Sequence, residues 1–159
     1  MIQKAAKFAT KAHEGAVRKG SHLPYIVHPM EVGMIVSLMT KDSEVIAAAY
    51  LHDVIEDAGV TYEELRKQFG DRVAQLVQGE SEDKSKTWKE RKQATIDHMK
   101  YVKKEERLIA FADKLSNLRS TAKDYLVMGD EIWQKFHEKD KRMHKWYYGC
   151  LKDAFQTFE

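Results

Sequence analysis

Proline occurs twice in this chain, at Pro24 and Pro29, and both fall in one short stretch near its start. The rest of the sequence lacks the residue that most reliably breaks a helix. Apolar side chains recur through it at helical spacing. Ala5, Phe8, Ala9 and Ala12 share a face, with Gly15 as a stop. Pro29, after His28, suits the first position of a second helix running to about Leu38. Asp42 and Ser43 can cap a third. Thr61–Glu64 and Thr87–Glu90 both fit a capping box, in which the third residue after the cap reaches back to it. Gly70 would close the helix after the first box. Leu108, Phe111, Ala112, Leu115 and Leu118 form an apolar stripe in "ERLIAFADKLSNLRS". Met143, Tyr147, Leu151 and Phe155 recur four apart in a last helix over about 139–158. No segment alternates with the period of two that a half-buried strand requires. The pattern predicts an all-α fold, one helical bundle of about seven helices over residues 1–159.

Size and charge narrow the function. A chain of 159 residues can bury one full core and is short for two domains. Its 27 basic residues barely exceed its 25 acidic ones, which excludes a nucleic-acid binder held by bulk charge. No run approaches the ~20 apolar residues of a membrane span, so no membrane partner is expected. "MIQKAAKFATKAH" is too charged for the apolar region of a signal peptide. Cys150 is the one cysteine, which rules out an internal disulfide and suits a small core side chain. These features together predict a cytoplasmic protein.

"AAAYLHDVIEDA", residues 47–58, begins as a buried helix and changes character after Leu51. His52 and Glu56 are four apart, as are Asp53 and Asp57, so the pairs lie on two adjacent strips. One turn before His52 stand Ala48 and Ala49, so the polar patch continues the buried face. Taken singly, each of these residues also fits a solvated helix end. Burying the carboxylates together is costly without a partner, and a divalent cation would be one. Such an ion needs further ligands. His28 stands in "PYIVHP" at a helix start, where Pro29 restricts its backbone. Asp113 interrupts the apolar "IAFADKL", with Asn117 one turn later. Two histidines and two aspartates suit manganese, iron or another first-row ion better than a thiolate zinc or an all-oxygen calcium site.

In order, "AHEGAVRKGSHLPYIVHP", "AAAYLHDVIEDAG" and "FADKLSNLRS" resemble the HD-domain hydrolases of the SpoT/Rel type, in particular the small stand-alone alarmone hydrolases related to the metazoan SpoT homologue. The resemblance implies one divalent metal, usually Mn2+, on His28, His52, Asp53 and Asp113. It implies that Glu56 and Asp57 position or activate the attacking water. Arg18 and Lys19 would line the base side of the pocket, and Asn117 would contact the nucleotide. Arg142 and Trp146, on the last helix, would help to hold it. The implied reaction is hydrolysis of the 3′-pyrophosphate of guanosine alarmones, ppGpp to GDP and pyrophosphate, and Arg18, Lys19, Lys114 and Arg142 are the candidate cations for so anionic a substrate. The alternatives are another nucleotide, such as ppApp or NADPH, and a non-catalytic nucleotide- or partner-binding module. No synthetase domain of the kind that follows in the long relatives is expected. The sequence departs from the pattern at Lys114, where an arginine is usual, at Ser116, where a histidine is, and at Trp146, where a tyrosine is frequent. The loop before "HP" is one residue longer, which bears on base preference. Residues 82–92, rich in charge, read as a solvated, mobile segment that could rim the pocket. His13 reads as a support for the loop, and His22, His98, His137 and His144 as surface residues.

Overall fold

The computed structural model describes residues 1–80 and 82–156 and is all-α, as the spacing predicts. The helices are α1 (Ile2–Ala12), α2 (Val27–Met39), α3 (Ser43–Leu51), α4 (Val54–Ala58), α5 (Tyr62–Phe69), α6 (Asp71–Gly79), α7 (Trp88–His98), α8 (Lys104–Met128) and α9 (Lys141–Phe155), with a 3-10 helix at Gly129–Lys135 before the last. Among the described residues there is no strand, only an isolated bridge between Val17 and Pro24. Residues 157–158, expected in the last helix, lie outside the described part.

The helix count exceeds the expected seven for local reasons. The helix expected to run through "AAAYLHDVIEDA" is interrupted at His52 and Asp53, which separates α3 from α4. Gly70, at φ 93°, ends α5 and starts α6. The caps follow the sequence. The Asp42 carboxylate accepts from the Glu44 and Val45 N–H groups and starts α3. Thr61 accepts from Glu64 N–H, and Thr87 and Glu90 make both bonds of a capping box.

α3 is the centre of the bundle and packs against α1, α2, α6 and α8. Val45, Ile46, Ala47, Ala48, Ala49 and Leu51 are all buried. Three consecutive alanines let neighbouring helices approach. Gly33 of α2 serves the same end, because a Cβ there would fall 2.6 Å from the Tyr50 ring. Burying side chains such as Leu51, Leu65 and Ile109 stabilises the fold by about 1.5–3 kcal/mol each.

α8 carries two cores. Ile109 and Ala112 join the first, and Ala110 joins a second made with Ile96, Met99, Tyr147 and Leu151 from the α7 and α9 region. The buried face of α8 is consequently Leu108, Ile109, Ala110, Ala112, Asp113 and Ser116. The expected stripe ran through Leu118, which is exposed. Cys150 packs against the second core, half-buried, as a small hydrophobe. No helix among the described residues is long and apolar enough to cross a membrane.

Candidate metal centre and nucleotide cleft

Three separate parts of the chain bring His28, His52 and Asp113 to one point, with Asp53 at its edge. His28 sits in the first turn of α2, and His52 and Asp53 occupy the break between α3 and α4. Asp113 lies mid-α8. His28 Nε2 is 3.3 Å from His52 Nε2 and 3.1 Å from Asp113 Oδ1. Asp53 Oδ2 is 3.0 Å from His52 Nε2 and 3.5 Å from His28 Nε2. His52 Nε2 and Asp113 Oδ1 are 3.7 Å apart. Metal–ligand bonds of about 2.0–2.2 Å put neighbouring donor atoms roughly 3 Å from one another, so the spacings within His28, His52 and Asp113 suit one small cation, and Asp53 stands beside them.

The far side of each imidazole fixes its orientation. His52 Nδ1 lies 2.9 Å from the Ala49 carbonyl, which can only accept, so Nδ1 carries a proton. Ser116 donates its one hydroxyl proton to Glu31 Oε2 at 2.7 Å, so its oxygen accepts from His28 Nδ1–H at 2.9 Å. Both Nε2 atoms therefore face the carboxylates. Imidazoles tied at Nδ1 with Nε2 facing a cluster are the usual arrangement of metal-ligating histidines.

The electrostatics of the cluster are those of a cation site. Burial opposes a charge on His52, but the carboxylates of Asp53 and Asp113 overcome it and hold the imidazole's pKa well above its ordinary value. Burial likewise opposes ionisation of Asp53, yet His52 holds that carboxyl down at about 2. Asp113, also buried, is kept well below the usual range first by Lys114 and then by the two imidazoles. Lys114 Nζ bonds Asp113 Oδ2 at 2.5 Å, and Asn117 Nδ2 donates to Oδ1 at 2.6 Å. A divalent ion held by the four donors would take over the charge balance from the imidazolium proton.

Beside the cluster opens a cleft of about 860 Å³. Glu56 and Asp57 of α4 stand on its wall with Arg18, Lys19, Lys114 and Asn117. Burial raises the Glu56 pKa, the backbone N–H of Glu82 opposes the rise, and the charge of Asp57 adds to it. Lys84 approaches Glu56 Oε1 and Asp57 Oδ1 at 3.5 Å each. Arg18 Nη2 donates to Asn117 Oδ1 at 3.0 Å, which ties the early loop to α8.

Two residues expected at the nucleotide, Arg142 and Trp146, do not line this cleft. Arg142 is 86% exposed and lies against Asp140, the residue that caps α9, away from the cleft. Trp146 packs on the second core instead. The cleft wall from α9 is built by His144, Tyr147 and Tyr148. His144, expected at the surface, is buried among Trp88, Trp133 and Phe136 and bonded to the Glu138 carbonyl at 2.7 Å. The 82–92 segment is not simply solvated. Glu82 binds Arg91 and Lys92 at 3.0 and 2.7 Å, largely out of water, and Lys84, Trp88, Arg91 and Lys92 line the cleft. Glu80 is a further group that the sequence did not mark; burial, against the pull of Lys114, raises its carboxyl to about 8.

An all-α bundle that gathers a histidine from a helix start, a His-Asp pair from a helix end and an aspartate from a long helix has the architecture of an HD domain. The model of the HD-domain family matches residues 5–138, and the chain belongs to that family. It is 39% identical over 122 residues to the guanosine-3′,5′-bis(diphosphate) 3′-pyrophosphohydrolase MESH1 of Danio rerio, covering 75% of this chain and 68% of that protein. It is 32% identical over 152 residues to the guanosine-3′,5′-bis(diphosphate) 3′-pyrophosphohydrolase of Aquifex aeolicus, covering 91% of this chain but 19% of that longer protein. Among solved structures, a metazoan SpoT orthologue described as hydrolysing ppGpp superposes with a TM-score of 0.72 at 28% identity, covering 98% of this chain and 93% of the other. The lmo0812 protein of Listeria monocytogenes gives 0.75 at 35% identity, covering 81% and 83%.

Proposed function

We propose that this protein is a metal-dependent hydrolase that removes the 3′-pyrophosphate of ppGpp, giving GDP and pyrophosphate. The observation that carries the reading is the convergence of His28, His52, Asp53 and Asp113 beside a cleft walled by two carboxylates and several cations. Relatives that share the HD fold are named for this reaction. We assign Mn2+ to the four donors, because a mixed imidazole and carboxylate set suits a first-row ion of intermediate hardness. When bound, the cation supplies stabilisation of the negative charge that develops on a phosphoryl oxygen.

The remaining work belongs to the chain's own side chains. Glu56 takes a proton from the attacking water, a role worth ~10²–10⁴-fold in rate. Its raised pKa makes it a stronger base than an ordinary glutamate. The water oxygen bonds to phosphorus, the bond from phosphorus to the ribose 3′ oxygen breaks, and that oxygen leaves as a hydroxyl once protonated. Asp57, beside Glu56, orients the water. Arg18, Lys19, Lys114 and Asn117 face the nucleotide from two sides of the cleft. Arg18 can stack on a base face, which a lysine does poorly. A cytoplasmic setting, inferred from cysteine usage, is part of the same proposal.

The test is product identification. Protein loaded with Mn2+ is incubated separately with ppGpp, ppApp and NADPH, and the products are resolved by ion-exchange chromatography. GDP and pyrophosphate from ppGpp are expected. Turnover of only ppApp or NADPH would move the substrate assignment, and turnover of none would refute the hydrolase reading.

A further inference from the structure

Tyr25 lies between two carboxylates of the proposed site, Asp53 and Asp57. Its hydroxyl oxygen is 2.6 Å from Asp53 Oδ2 and 3.0 Å from Asp57 Oδ2. Those carboxylates come from the α3–α4 break and from α4, whereas Tyr25 comes from the loop between α1 and α2. Asp53 Oδ2 is also the oxygen of that residue that faces the imidazoles, 3.0 Å from His52 Nε2 and 3.5 Å from His28 Nε2. The geometry points to Tyr25 as a positioning residue whose one hydroxyl proton, given chiefly to Asp53 Oδ2 and shared with the more distant Asp57 Oδ2, fixes the ligating oxygen of Asp53 and keeps Asp57 in register with it.

A carboxylate oxygen has lone pairs enough to accept from a phenol and to face a cation at once. Donors of this kind set the orientation of a metal-binding carboxylate. The same hydroxyl stands between two like charges that would otherwise separate. Asp57 has a second partner in Lys84, but at 3.5 Å and through a side chain that is 58% exposed. Tyr25 is held firmly enough to serve. Its ring stacks on buried His13 with centroids 4.8 Å apart, and the Arg18 guanidinium lies 5.6 Å from the ring centroid. Arg18 continues through Asn117 to Asp113, so the loop is linked to both aspartates of the cluster. Neither ring contact uses the hydroxyl. Removing that one atom therefore isolates its role.

The proposal rests on the metal-dependent hydrolase reading, and its test separates the two. Tyr25→Phe is compared with the native protein by calorimetric titration of Mn2+ into chelator-stripped samples, and by ppGpp hydrolysis at saturating Mn2+. Mn2+ binding should weaken about 10–100-fold, the effect of losing a hydrogen bond to a metal ligand. The value of kcat should fall at least about tenfold with KM changed less than about threefold, the signature of an interaction that matters after substrate is bound. Tyr25→Phe introduced into an Asp57→Asn background should lower kcat further by less than about threefold, because two residues that act through one contact are not additive. A Tyr25→Phe protein with native Mn2+ affinity overturns the proposal, as does a loss confined to KM or one that is fully additive with Asp57→Asn. Should the native protein bind Mn2+ but leave ppGpp intact, the substrate reading fails and the Mn2+ titration alone decides Tyr25.

Discussion

Ser116→Ala tests how the metal centre is built. Ser116 is 1% exposed and accepts the Nδ1–H of His28 at 2.9 Å while donating to Glu31 at 2.7 Å. Removing the hydroxyl leaves a buried imidazole N–H without its acceptor, which costs about 1–3 kcal/mol. Glu31 keeps Arg119 at 3.2 Å, so its own loss is smaller. For a chain of this size each kcal/mol lowers Tm by about 2–4 °C, so the metal-free variant should melt roughly 2–12 °C below the native protein. The larger consequence is functional. With Nδ1 untied, the ring can turn or change tautomer, and Nε2 no longer faces the cluster by default. Loss of such an anchor weakens metal binding by about 10–100-fold, or about 1.4–2.8 kcal/mol. The assay is calorimetric titration of Mn2+ into stripped protein, with thermal melts at matched metal concentrations. A Ser116→Ala protein that binds Mn2+ as the native chain does would show that the serine does not orient His28, and the argument for the imidazole's geometry would fall.

Further outcomes follow from the same structure. Glu56→Gln should lower kcat by ~10²–10⁴-fold, measured by steady-state kinetics, while leaving Mn2+ affinity within about threefold of native. As the proposed base Glu56 must be ionised to act, and burial raises its pKa. The acid limb of kcat/KM should therefore lie above the ordinary glutamate value of about 4.3, with activity present above that limb and lost as pH falls through it. A limb at or below the ordinary value would speak against Glu56 as the base. Leu51→Ala removes a fully buried side chain just before His52 and should cost about 2–5 kcal/mol in urea unfolding. A cost under about 1 kcal/mol would mean that the core relaxes around α3 more freely than its packing implies.

The elements and the residues that gather at the cluster were legible because both leave periodic or isolated marks in the sequence. Apolar residues three and four apart announce helices, and a histidine or an aspartate inside an apolar run stands out. The break at His52–Asp53 carried no mark, since neither residue is a helix breaker and both keep helical backbone angles. Ser116 looked like a mere departure from a family pattern, and only its spatial neighbours, His28 and Glu31, give it a role. Tyr25 was in plain view in "PYIVHP", but a tyrosine there has no spacing that would announce two carboxylate partners. The place of Arg142 and Trp146 off the cleft wall has a physical reason that the sequence does not display. Asp140 is near enough in sequence to capture Arg142, and the rotation of α9 about its axis gives the cleft to His144, Tyr147 and Tyr148. That rotation is set by the second core, which involves contacts between α7, α8 and α9 far apart along the chain.

The most direct test of the central claim is the stoichiometry of metal-restored activity. Protein stripped with a chelator is titrated with Mn2+ while bound metal and ppGpp hydrolysis are measured on the same samples. Hydrolysis should be absent from the stripped protein and rise in proportion to bound Mn2+ up to one ion per chain, and His52→Ala should abolish both. Undiminished hydrolysis by protein shown to contain no metal ion would contradict the account.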